Sequence, residues 1–317
     1  MNFNTKEYTV FLATHGSRAY GTSVSDSDID RKGFAVVPFS AAVGYTSSFE
    51  QDESKSEEAG VPVEQVVYDI RKFVKLAAGC NPSIIEILFV AESDVLVCHP
   101  AGALVRAHRD KFLSKLAGKT FSGYALSQLK RLKNHRGYLM NPPKGKPSRE
   151  DFGLSTQMKI TADMMGALDK SMSEGYEAHQ NVIELVQKEK QCKSAMDQWQ
   201  SYQNWKTNRN PKRAEMEAKW GYDSKHAMHL VRLLRMGREI LEGKGVEVRR
   251  SDAEELLAIR NGAWSYEHLV DWAEKTDKEV GKLYSTSTLP EAPDSEFLNT
   301  LCVEAQKIFW KQKGELS

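Results

Sequence analysis

The stretch GSRAYGTSVSDSDID, residues 16–30, decides how this sequence reads. It follows an apolar, β-branched run, YTVFLAT, that has the composition of a strand. Gly16 lets backbone N–H groups approach a phosphate closely, and the Ser17 hydroxyl adds a donor. Ten residues after Gly16 comes Asp26-Ser27-Asp28-Ile29-Asp30, which runs into a second predicted strand, Gly33–Val37. Alternate residues of an extended segment point to one side, so Asp28 and Asp30 aim both carboxylates at one point beside the Gly-Ser turn. Hard divalent cations need that oxygen-rich arrangement and keep open positions for substrate phosphates. Two such ions, about 4 Å apart, activate an attacking hydroxyl and stabilise a leaving pyrophosphate. A lone Asp-Ser-Asp is usually a surface turn; the strand, Gly-Ser, spacer, Asp-x-Asp and strand together are not.

Around this element the sequence predicts an α+β domain over residues 1–118 and an all-helical domain over 119–317. A third strand is expected at Val63–Asp69, a helix at Ile70–Ala78, a helix at Asn81-Pro82 and beyond, and a last strand at Asp94–Cys98. Residues 50–60, QDESKSEEAGV, read as a charged surface loop. Helices are expected over 121–139, 155–171, 173–190, 194–220, 223–242, 251–261, 264–284 and 294–313, with a Pro-rich loop at 141–153. The six tryptophans fall in helices, where core packing is the ordinary role.

Composition excludes some classes. No apolar run approaches the roughly 20 residues of a membrane span. The N-terminus lacks the basic start of a secretory leader, so a cytoplasmic protein is expected. The 4 cysteines lie far apart with no metal-ligand spacing, as free thiols would. The formal net charge is +1, but the first seventy residues are acidic, while residues 101–149 run from Arg106 to Arg149 with Asp110 as their one acid. Such asymmetry suits a polyanion held across a metal site, and equally a solvated basic surface.

GSRAYGTSVSDSDIDRKGFAV, residues 16–36, resembles the DNA polymerase β-like nucleotidyltransferase superfamily, whose pattern is Gly-Ser followed some ten residues on by Asp-x-Asp. It is especially similar to the predicted nucleotidyltransferases of bacteria and their phages, a family that includes enzymes placed in RNA-repair gene sets. NPSIIEILF (81–89), NPPKGKPSREDFGL (141–154) and GYDSKHAMHLVRLLRMGREIL (221–241) also look like segments of that family, whereas the last seventy residues carry no placeable motif. The resemblance implies that Gly16 and Ser17 hold the β and γ phosphates and that Asp28 and Asp30 ligate two ions, magnesium or manganese. It implies a third carboxylate from the next strand. Glu64 is favoured, with Asp69 as the alternative and a candidate helix N-cap. It further implies a lysine from the helical part that neutralises the triphosphate. Lys225 matches best, and His229 and Arg232 stack on its helix face at i+4 and i+7. Arg18 and Ser27 flank the motif as further nucleotide-side candidates.

The expected reaction is transfer of a nucleoside monophosphate from an NTP to a hydroxyl. An RNA 3′ end is favoured, bound by the basic helices 121–139 (Lys130, Arg131, Lys133, His135, Arg136, with Tyr138 nearby) and 223–242. Arg149 and Asp151 are expected to act from a loop closing over the substrate. Protein nucleotidylation and a non-catalytic nucleotide-binding module remain as alternatives. The metal site needs both the sheet and helix 223–242, so it is expected in a cleft between the two domains.

Overall fold

The computed structural model describes residues 3–45, 49–157, 160–174 and 180–317, with the side chains of residues 162 and 172 excepted. From the N-terminus, α1 (Thr5–Tyr8) leads into β1 (Thr9–His15), α2 (Gly16–Tyr20), β2 (Ile29–Ala35), α3 (Phe39–Val43), β3 (Gln51–Glu58), β4 (Val61–Asp69), α4 (Ile70–Ala78), α5 (Pro82–Phe89), β5 (Val95–Cys98) and α6 (Pro100–Ala107). Helices follow: α7 (Leu116–Met140), α8 (Ala162–Ser173), α9 (Gln180–Thr207), α10 (Pro211–Trp220), α11 (Ser224–Leu241), α12 (Ala253–Arg260), α13 (Tyr266–Thr286) and α14 (Ser295–Lys313). This is the α+β arrangement expected, a mixed sheet followed by helices.

The five strands are ordered β3-β4-β2-β1-β5. β1 is antiparallel to both its neighbours, β2 and β5, and β2 runs parallel to β4. Helix α4 packs against β4 and β2, α5 against β1, and α6 against β1 and β5. The helix starts follow local chemistry. The Asp69 carboxylate accepts from the Arg71 N–H at 2.7 Å, and the Asn81 side chain accepts from the Ser83 N–H at 3.1 Å ahead of Pro82.

Two elements differ from the sequence reading. Residues 51–58 form β3, an edge strand, rather than a loop. Its side chains are polar and all but Gln51 exposed, so no alternation betrays it. Charges of this kind blunt an open edge. Ala59 and Gly60, both with positive φ (49° and 79°), make the two-residue turn that returns the chain into β4. The helix break expected near 190–194 falls instead at residues 208–210, because no breaker interrupts α9 and Asn210-Pro211 caps and starts α10. Among the tryptophans, Trp310 is buried and the other five are half-buried.

The compact units are also cut differently from the division at 118. Residues 1–132 and 224–317 form one unit and residues 133–223 the other. The reason is apolar burial late in the chain. Helix α11 buries Leu230, Leu233 and Leu234, and α12 and α13 lie against it. Helix α14 lies against α6 and α4. Trp310 Nε1 donates to the Val37 carbonyl at 2.8 Å, and Phe309 meets the rings of Tyr8 and His99 at 5.6 and 5.0 Å. The last seventy residues thus complete the core of the sheet-bearing unit. No described helix is long and apolar enough to cross a membrane. Phe309→Ala should therefore destabilise the whole first unit by about 3–5 kcal/mol, read as a lower urea midpoint at unchanged slope. A loss under about 1 kcal/mol, the scale of an ordinary surface change, would place α14 outside that core.

Candidate active site

Strand β2 carries the acidic motif between two partners. Asp30 lies opposite His15 on antiparallel β1 and beside Glu64 on parallel β4. Register partners share a face, so Asp30 and Glu64 stand side by side, with Lys32 two residues on along β2 and Asp28 just before the strand begins. Gly16 follows His15 directly and takes φ +68°. A Cβ there would lie 2.1 Å from Asp30 Oδ2, so only glycine leaves room for the carboxylate beside the turn.

The charges of these residues act on one another. Burial pushes the Asp30 carboxyl above its ordinary range, Asp28 and Glu64 push it further, and Lys32 and Lys225 pull it back. Lys225 of α11, whose charge acts on Asp30, lies in the same compact unit as this cluster. Glu64 is exposed and held by Lys55 at 2.6 Å. Asp69 is committed elsewhere: it caps α4, pairs with Arg71 at 2.7 Å and lies opposite Ala35, at the far end of β2 from Asp30. An all-oxygen cluster in which a half-buried carboxylate is pushed up by its neighbours fits a hard divalent cation such as magnesium or manganese.

Several expected nucleotide contacts are placed otherwise. Arg18 donates to the backbone carbonyls of Ser27 (2.9 Å) and Asp28 (3.2 Å), clamping the loop. Ser27 is buried, and its Oγ accepts from the Val24 N–H at 2.9 Å to close the same loop. Ser17 and His229 are half-buried. Arg232 is buried, not on an open cationic face. Its Nη1 donates to Glu86 Oε1 at 2.5 Å, and its guanidinium lies 3.8 Å from the centroid of the Tyr20 ring.

Glu86 is the residue that the sequence reading missed. It is 0% exposed on α5. Its Oε2 accepts from the Tyr20 hydroxyl at 2.6 Å and lies 3.2 Å from His15 Nε2. Burial alone would raise its pKa, but the Arg232 charge and hydrogen bonds from His15 and Tyr20 hold it down at about 2. Burial lowers the His15 pKa, so the ring is neutral at pH 7 and donates from Nε2. Lys32 was missed too. Burial lowers its pKa, and its Nζ donates to Ser83 Oγ at 2.8 Å, on the same helix as Glu86. Glu86 lies inside the apolar run SIIEILF and had no partner in sequence; Lys32 continues the alternation of Asp28 and Asp30, the one signal that could have found it.

In the second unit, Arg149 pairs with Glu189 at 2.5 Å, and Asp151 accepts from the Ser148 N–H at 2.7 Å, so both hold the 141–153 loop in shape. Lys130, Arg131 and Lys133 are exposed on α7, whereas His135 meets Glu217 at 3.1 Å and Arg136 donates to the Gly221 carbonyl. Among the described residues, the one group of three His, Cys, Asp or Glu side chains with ligand atoms all within 4.8 Å is His135, Glu217 and Asp223. Asp28, Asp30 and Glu64 stand further apart than that. Glu217 is already bound by Arg209 and Asp223 by Arg213, so arginines balance the charge of that group.

Residues 3–140 match the RlaP family, described as the RNA repair pathway DNA polymerase beta family. The matched stretch holds every sheet residue of the site, and Lys225 lies outside it. No curated protein matches the chain.

An ionised Asp30 in this setting opposes folding. Its raised pKa favours the folded state below the ordinary carboxylate range, and that contribution is lost as pH rises through the folded value. Without added metal, Asp30→Asn should melt higher than the natural chain at pH 7, and the gap should close near pH 4, where an ordinary carboxylate takes up its proton. Manganese should raise the melting temperature of the natural chain but not of Asp30→Asn. A variant that melts lower at pH 7, or responds equally to manganese, contradicts this electrostatic picture.

Proposed function

We propose that this chain, whose residues 3–140 are of the polymerase β-like nucleotidyltransferase family, is a divalent-metal-dependent enzyme that transfers a nucleoside monophosphate from an NTP to the 3′ hydroxyl of an RNA. The observation that carries the reading is Asp30 in register with Glu64 and packed on Gly16, with Asp28 and Lys225 near enough to shift its charge. The RNA acceptor rests on the family's description and on the exposed Lys130, Arg131 and Lys133 of α7.

Asp28 and Asp30, with Glu64 as the third carboxylate, would hold two magnesium or manganese ions, which supply Lewis acidity at the reacting phosphorus. The Gly16–Ser17 backbone and the Ser17 hydroxyl would receive the β and γ phosphates, and Lys225 would offset their charge. The RNA 3′ oxygen forms a bond to the α phosphorus as the bond to the β-phosphate oxygen breaks, and pyrophosphate departs. The proton of the attacking hydroxyl goes to Glu64, the most exposed carboxylate of the three. Arg18 and Ser27 would keep the Asp28 loop closed through their hydrogen bonds to it.

Incubation with labelled NTPs, manganese and total RNA should label RNA. Label confined to protein bands would move the reading to protein nucleotidylation, and NTP binding without transfer would leave a binding module. Asp28→Ala with Asp30→Ala should reduce transfer to background, since both removed groups act on the reacting phosphate. Lys225→Ala should raise the NTP KM about tenfold, roughly 1.4 kcal/mol, with a smaller change in kcat. An unchanged KM would return Lys225 to the surface.

A further inference from the structure

Beside the carboxylates lies a buried ion pair, Glu86–Arg232, whose hydrogen bonds reach several elements of the site. Glu86 and Ser83 sit one turn apart on α5. Ser83 accepts from Lys32, next along the Asp28–Asp30 face of β2. Glu86 takes hydrogen bonds from His15 and Tyr20, the two residues that bracket the Gly16–Ser17 turn. From the other side Glu86 takes Arg232, whose guanidinium also covers the Tyr20 ring. Arg232 lies seven residues after Lys225 on α11, on the same face and about 10 Å along the axis. One carboxylate thus joins both flanks of the proposed phosphate turn to the helix that carries the proposed phosphate cation.

A pair like this is a poor way to gain stability. Glu86 is 0% and Arg232 5% exposed, so both charges lost their water, and apolar residues of similar volume commonly serve as well or better. The rest of α11 already packs through Leu230, Leu233, Leu234 and Ile240. Apolar packing tolerates small shifts and rotations of a helix. A buried charge does not, because any other register leaves it uncompensated.

We infer that the Glu86–Arg232 pair is the positioning device of the NTP site, setting the register of α11 so that Lys225 is held at the Asp30 end of the Gly16–Ser17 turn. This rests on the nucleotidyltransferase reading above. Glu86 and Arg232 act through Lys225 and the turn, not on the substrate.

The test separates positioning from folding, using the full chain, thermal melting, and calorimetric titration with magnesium and the non-transferable α,β-imido analogue of each of the four NTPs. Glu86→Gln and Arg232→Met each leave one partner unpaired, so each should lower both the melting temperature and nucleotide affinity. The double variant removes both charges and should recover most of the melting temperature, yet bind the best analogue about tenfold more weakly than the natural chain. In that background Lys225→Ala should cost little more, because its position is already lost. Arg232→Lys retains the charge but not the stacked planar fork, and should fold while binding more weakly; it decides the matter if the double variant does not fold. Natural affinity in the folded double variant, or in Arg232→Lys, would make the pair merely structural and overturn the inference. If the natural chain binds none of the four analogues, the nucleotidyltransferase reading itself falls, and this inference with it.

Discussion

The pairing of β2 with two neighbours of opposite sense is the constraint on which the site depends. Antiparallel pairing sets Asp30 against His15, and parallel pairing sets it beside Glu64. A slip of one residue in either ladder would turn Asp28 and Asp30 to the other face of the sheet. The two-residue Ala59–Gly60 turn ties β3 to β4, and α4 packs on β4 and β2 together, so local turn chemistry and helix packing both support that register.

That constraint concentrates like charge. Burial, Asp28 and Glu64 raise the electrostatic cost of an ionised Asp30, and Lys32 and Lys225 relieve part of it. The same region holds a fully buried carboxylate, Glu86, that stays ionised because Arg232, His15 and Tyr20 surround it. The two arrangements are opposites. Glu86 is satisfied by the protein and kept from solvent, whereas Asp28 and Asp30 are half-buried and the Asp30 carboxyl is pushed up.

Much of this was legible before any coordinates. The Gly16-Ser17 and Asp28-x-Asp30 pattern announced its own chemistry, because alternation along a strand needs no tertiary information. Glu64 over Asp69 came from the family resemblance, and it is Glu64 that lies in register with Asp30. Long-range partnerships were not legible. Arg232 looked like an exposed cation because helical periodicity puts it with Lys225 and His229, yet those two are half-buried while Arg232 is buried against Glu86. Glu86 itself sat unnoticed in an apolar helix. β3 was hidden because an edge strand has no buried face to alternate with. The unit boundary was hidden because α11 to α14 are ordinary amphipathic helices, and nothing local says against which part of the chain their apolar faces fold.

The central claim is that Asp28 and Asp30 hold the catalytic metal. The most direct measurement is anomalous diffraction from crystals grown with manganese and a non-transferable NTP analogue. A manganese peak is expected within coordinating distance of both carboxylates, about 2.0–2.6 Å, with the triphosphate beside Gly16 and Ser17. Manganese at His135, Glu217 and Asp223 with none at Asp28 and Asp30, or a nucleotide bound away from the Gly-Ser turn, would contradict it.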